Sequence, residues 1–170
     1  MTAFGLGPMP GTDLAQAADV VLSETVLPHI PQLPERSVGA DAIGRTAALL
    51  EIPIGRGPRG WRVAARKRGD ADRMARDLDG LEEAWHGKVD TVKAQLVGPF
   101  TLAAEVEMPN GHRMITDAGA LRDLTDALLE ACTEHRCDVA ARFGDVVLQL
   151  DEPLLPEVTA GTLRGTTDYE

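Results

Sequence analysis

Two adjacent carboxylates, Asp151 and Glu152, close the apolar run Val146-Val147-Leu148-Gln149-Leu150 and are followed at once by Pro153. An ionised carboxylate is a pure acceptor. At a strand end it can hold an ammonium group, orient another side chain, or cap the backbone that follows. Successive strand residues point in opposite directions, so the two acids serve different purposes. One can face a ligand while the other caps backbone or meets solvent. The plainer alternative is that both stop the strand and cap the next turn, and residue types alone do not separate the two.

Two further stretches occupy a comparable place. Gly7-Pro8-Met9-Pro10-Gly11-Thr12 follows a short apolar segment at 3–7, and Gly98-Pro99-Phe100-Thr101 follows the apolar residues 93–97. In parallel α/β folds the loops at the C-terminal strand ends vary over a rigid scaffold and carry the ligand, so the three stretches together define one candidate site. A metal reading of Cys132, His135 and Cys137 is weaker. Cys132 and His135 share a helical face at i, i+3, but Cys137 is turned well away on a continuous helix, and a buried Cys132 in a core stripe is the simpler account. His29, His86 and His112 are isolated in sequence, and neither a phosphate-loop lysine pattern nor a nucleophile elbow occurs.

The elements that must position these loops follow from periodicity. Thr12 or Asp13 caps a helix whose apolar positions, from Leu14 through Val21 to Val26, recur at i, i+3, i+4 and i+7, and which ends before Pro28. The proline-rich residues 29–35 allow only a very short strand. A second helix is expected from Asp41 to Leu50, then an irregular basic excursion at about 52–70 with a short hairpin near Trp61, then a helix from Asp70 or Asp72 that buries Met74, Leu78, Leu81 and Trp85. The strand at 93–97 precedes a long helix from Thr116 or Asp117, expected to break or fray before Phe143, and the strand at 146–150 completes the series. Strands alternating with helices imply parallel strands joined by right-handed crossovers. Four such strands fit either half of an eight-stranded barrel or a small open sheet.

The chain has 170 residues, 44% of them hydrophobic, enough for one domain with a core. Its net charge of −10 argues against a nucleic-acid or anionic-membrane partner. Local charge differs: eight of the 17 Lys and Arg residues fall between positions 56 and 76, where only Asp70 and Asp72 oppose them. Such a run is usually a solvated face, though it can also attract a polyanionic tail. Two cysteines make no secreted disulfide framework, no apolar run approaches a membrane span, and the N-terminus is unlike a signal peptide, so a cytoplasmic location is expected.

Taken together, Leu6-Gly7-Pro8-Met9-Pro10-Gly11-Thr12, the stretch from Gln95 to Ala103 and the stretch from Val146 to Leu155 resemble the catalytic barrel of the cobalamin-independent methionine synthase family, in its short actinobacterial-type version. The resemblance implies the first four β/α units of a (β/α)8 TIM barrel, helices outside, with residues 1–170 forming its N-terminal half. It implies methyl transfer from methyl-tetrahydrofolate to homocysteine, whose thiol a zinc ion activates. Leu6, Gly7 and Pro8 would lie against the amino acid's carboxylate and Asp151, beside Glu152, would hold its amino group. The sequence departs from the family at Pro8, which stands where the larger enzymes have serine, and it has no His-Gly pair after strand two. The family's zinc ligands lie beyond the Asp-Glu-Pro strand, so zinc is expected for the family while its ligands are absent from this chain, which alone would be inactive. Homocysteine or methionine and methyl-folate are the expected small-molecule partners, with the basic segment as a candidate for the folate's polyglutamate tail. The open edges of a half barrel call for a homodimer or for pairing with a C-terminal half. The rival is a non-catalytic half barrel that binds an amino acid or a partner protein. A decarboxylase-like relative is a third possibility, requiring the arginines to fold over the barrel mouth.

Overall fold

In the computed structural model the described residues are 4–66 and 71–165. Helix α1 (Leu14–Glu24) begins at Asp13, whose Oδ1 accepts the amides of Ala15 (2.9 Å) and Gln16 (3.1 Å), and it stops ahead of Pro28. Asp41 starts α2 (Ala42–Leu49) by accepting the Gly44 amide at 2.9 Å. The basic excursion contains the hairpin β1 (Ile54–Gly57) and β2 (Gly60–Val63), and α3 (Ala71–Trp85) follows. Strand β3 (Thr91–Val97) leads through Gly98 into α4 (Pro99–Glu105), with Pro99 at a first-turn position where its missing N–H costs nothing. The two-residue β4 (Val106–Glu107) precedes the 26-residue α5 (Ala118–Phe143), and β5 (Asp145–Asp151) and α6 (Leu155–Ala160) complete the described chain.

The structure corrects the expected half barrel. There are two small sheets and no four-stranded parallel one among the described residues: β1-β2-β4 is mixed, with β1 and β2 antiparallel and β2 and β4 parallel, while β3 and β5 form a two-stranded parallel sheet. The short strand expected at 3–7 and the very short one allowed within 29–35 do not form ladders: among the described residues, 4–8 and 27–32 make only isolated parallel bridges, Phe4 to Leu27, Pro8 to Gln32 and His29 to Lys93. Pro8, Pro28 and Pro31 carry no N–H to donate, so a continuous ladder cannot run through either segment. Helix α5 is also continuous to Phe143, where Gly144 closes it at φ 92°; the expected break does not occur.

The core lies in two apolar clusters. One joins α2, the hairpin, α4 and the first half of α5 through Leu50, Trp61, Leu102, Val106 and Leu124. The other joins α1, α3 and the end of α5 through Val21, Leu78, Leu81, Trp85 and Phe143. Trp85 meets Phe143 edge-on at 5.7 Å and donates its indole N–H to the Ala18 carbonyl at 3.2 Å. Strand β3 is buried on both sides, and the period of two decides what it offers each. Val92, Ala94 and Leu96 enter the apolar clusters, and Lys93 and Gln95 occupy the other face. Among the described residues no helix is long and apolar enough to cross a membrane.

Candidate functional site

The polar face of β3 organises the site. Lys93, only 2% exposed, donates from Nζ to the carbonyls of Gly5 (2.5 Å) and Leu6 (3.2 Å) and to Gln149 Oε1 (2.6 Å), and it stands 5.1 Å from the centre of the Phe4 ring. An ammonium has three N–H donors, and all three are used. Burial lowers the Lys93 pKa, and the negative charge of Asp151 acts against that shift.

Gln149 passes this anchoring on. In-register pairing of β3 with β5 sets Gln149 beside Gln95 and Asp151 beside Val97. With Oε1 held by Lys93, the amide nitrogen Nε2 faces Leu6 O (3.1 Å) and Asp151 Oδ1 (2.5 Å). Asp151 is half-buried, and among the described residues this is its only side-chain hydrogen bond; Oδ2 takes none. The result is a carboxylate fixed by one oxygen, with the other available for a cationic group.

The neighbouring acid does different work. Glu152 accepts the Phe100 amide on Oε1 (2.9 Å) and the Thr101 amide on Oε2 (2.7 Å), which covers two of the first free N–H groups of α4. Thr101 Oγ1 accepts the Leu154 amide at 3.1 Å, so the turn after β5 and the start of α4 hold each other. Glu152 is therefore built into the backbone, as adjacent acids facing opposite ways would require.

The N-terminal loop splits as well. Leu6 touches the Lys93–Gln149 pair through its carbonyl while its side chain is exposed. Gly7 and Pro8 turn towards Gln32: Gly7 O accepts the Gln32 amide (3.0 Å), and Pro8 forms the bridge. Gly7 has φ 136°, and a Cβ there would lie 2.7 Å from Gln95 Nε2, so the backbone requires glycine on both counts. Of the five residues predicted from the sequence, the structure brings Leu6 and Asp151 together through Gln149 and sets Gly7, Pro8 and Glu152 to other contacts.

Sequence reasoning missed Lys93, Gln149 and His29. Lys93 and Gln95 alternate with apolar residues inside a strand flanked by helices, and a buried lysine is rare unless paired; that was the available signal. His29 is 3% exposed, neither ring nitrogen has a hydrogen-bond partner among the described residues, and its pKa falls to about 4 through burial and the charge of Lys93. Gly5 packs directly on the imidazole, where a Cβ would meet Cε1. Gln95 Nε2 donates to Ile30 O, closing the floor below the loop.

The described cysteines and histidines do not make a zinc site. Cys132 is buried in the core with its thiol pKa raised by burial, whereas Cys137 is exposed on another face of α5. Among the described residues no group of three or more His, Cys, Asp or Glu is placed to hold a metal ion. In the basic excursion, Arg59 pairs with Glu107 in a two-toothed contact (2.9 and 3.1 Å), and Arg56 lies 4.9 Å from the centre of the Trp61 ring. Those two cations have partners inside the fold. A hollow of about 580 Å³ near this end of the molecule is lined by Glu105, Arg113, Leu154 and Glu157 among others, and Asp151 is not in its wall.

Comparison of the chain with protein-family models, with curated proteins and with solved structures finds no match in any of the three.

Proposed function

We propose that the chain binds a small amino acid through its ammonium group at Asp151, and that it contributes this contact to a methyl-transferring enzyme acting on homocysteine. The observation that supports the first part is the Asp151 carboxylate, held at Oδ1 by Gln149 and, among the described residues, without a partner at Oδ2. A charge-assisted N–H···O bond to a half-buried carboxylate is among the stronger polar contacts a site can offer. The identity of the amino acid, homocysteine or methionine, rests on the sequence resemblance alone. Thiol activation needs a base or a metal; the part proposed for this chain is the binding contact at Asp151.

Calorimetric titration with methionine, homocysteine and the desamino analogue of homocysteine tests the proposal. Methionine and homocysteine are expected to bind, the desamino analogue is not, and Asp151→Asn is expected to abolish binding without changing the melting temperature. Equal binding of the desamino analogue, or unchanged binding by Asp151→Asn, would sink it.

A further inference from the structure

Among the described residues β5 pairs with β3 alone. Asp145 N donates to Asp90 O and Asp151 O accepts from Gly98 N, each at 2.9 Å. Residues of a parallel ladder alternate in the side to which they bond. The odd-numbered residues of β5 therefore bond to the β3 side, and the N–H and C=O groups of Val146, Leu148 and Leu150 face away from it. Among the described residues no strand lies on that side.

Folded proteins normally blunt such an edge with lysine, proline, a bulge or a covering segment. This one carries none of the first three: residues 146–150 are uncharged, contain no proline and pair in unbroken register. Val147 is 46% exposed and Leu150 49%, one on each face of the strand. At the two ends stand Asp145 and Asp151, and neither forms an ion pair among the described residues. Arg142, three residues before Asp145, is committed to Asp79, Glu82 and Asp138, and Lys93 to its three oxygens.

We propose that the open edge of β5 accepts an extended segment of another protein, apolar or β-branched in the middle and carrying Lys or Arg at both ends. Backbone pairing supplies the affinity and the flanking charges the selectivity, as in other cases of strand addition. Seven residues span about 20 Å at ~3.3 Å each, so the two cations sit that far apart. Acids at both ends mean that charge does not dictate whether the segment runs parallel or antiparallel. A second copy of β5 fits poorly. Parallel pairing in register sets each aspartate against itself, and antiparallel pairing centred on Leu148 sets Asp145 against Asp151 twice; like charges directly opposite are destabilising. The net charge of −10 adds to that repulsion. The backbone pairing of β5 and the Asp145 end lie outside the contact proposed for the ligand, whereas the cation at the Asp151 end would compete with the ligand's ammonium group for the same carboxylate.

The test uses three fluorescein-labelled peptides, Lys-Val-Thr-Val-Thr-Val-Lys, the same sequence with glutamate at both ends, and the lysine form with proline at its centre, titrated with the full chain in low salt. The lysine peptide is expected to bind at least tenfold more tightly than either control, and to shift the backbone amide resonances of Val146, Leu148 and Leu150. Leu150→Lys is expected to weaken it at least tenfold at an unchanged melting temperature; should that variant melt early, the amide shifts of the wild-type chain decide. Equal binding of the proline peptide would reduce the effect to charge alone and overturn the proposal. So would amide shifts that avoid β5, no binding of the lysine peptide, or self-association of the free chain with β5 at the interface.

Discussion

Lys93 Nζ and Gln149 Oε1 lie 2.6 Å apart, and that bond decides which way the Gln149 amide faces. Gln149→Glu removes the Nε2 donor and sets a second carboxylate beside Asp151 Oδ1. Methionine affinity is expected to change at least tenfold, in calorimetry, while stability changes little. Lys93→Met leaves the Gly5 and Leu6 carbonyls and Gln149 Oε1 without their donor, and is expected to cost about 2–4 kcal/mol in urea denaturation.

The two acids of the Asp-Glu-Pro turn should separate cleanly. Glu152→Ala uncaps α4 and is expected to lower stability by about 1–2 kcal/mol while amino-acid binding persists. Asp151→Asn should do the reverse. Denaturation and titration of the same two proteins check both halves.

His29 and His135 are buried, and each has its pKa pushed down to about 4 from 6.5, mainly by burial. A histidine whose folded pKa lies below its unfolded value takes up its proton first in the unfolded chain, so stability is full above pH 6.5 and falls as the pH drops towards 4. At about 1.4 kcal/mol per unit, each contributes about 3 kcal/mol to that fall. His135→Leu is expected to flatten the slope of the urea midpoint between pH 6.5 and 4.

Asp77, with its side chain almost fully buried, binds Arg36 at 2.6 Å and Arg45 at 2.9 Å, and Arg45 is itself buried. Burial lowers the Arg45 pKa, and the bond to Asp77 opposes that shift. Asp77→Asn leaves a guanidinium in the interior without its counter-charge and is expected to cost about 3–5 kcal/mol, measured by chemical denaturation.

Helices were the most legible part of the sequence. Asp13, Asp41 and Asp117 announced three starts, and the stripe from Met74 to Trp85 gave the buried face of α3. The strands at 93–97 and 146–150 and the hairpin near Trp61 were legible too, but their assembly into sheets was not, because strand pairing depends on residues far apart in sequence and on backbone donors that a list of apolar residues does not count. Residues 3–7 have the apolar character of a strand and 29–35 allowed only a very short one because of their prolines; neither builds a ladder, only isolated bridges. At the site, Asp151 was visible because a charge ending an apolar run is conspicuous. Lys93 was not, because its three partners come from residues 5, 6 and 149, and nothing near it in sequence names them.

That reach across the chain also sets an order in time. Gly5 and Lys93 are 88 residues apart, and Gln149 and Leu6 are 143 apart. At roughly 5 to 20 residues per second of synthesis, roughly 4 to 18 s pass between the appearance of Gly5 and that of the lysine that fastens it. Until β5 has been synthesised, the loop that carries Leu6 has no complete seat to occupy.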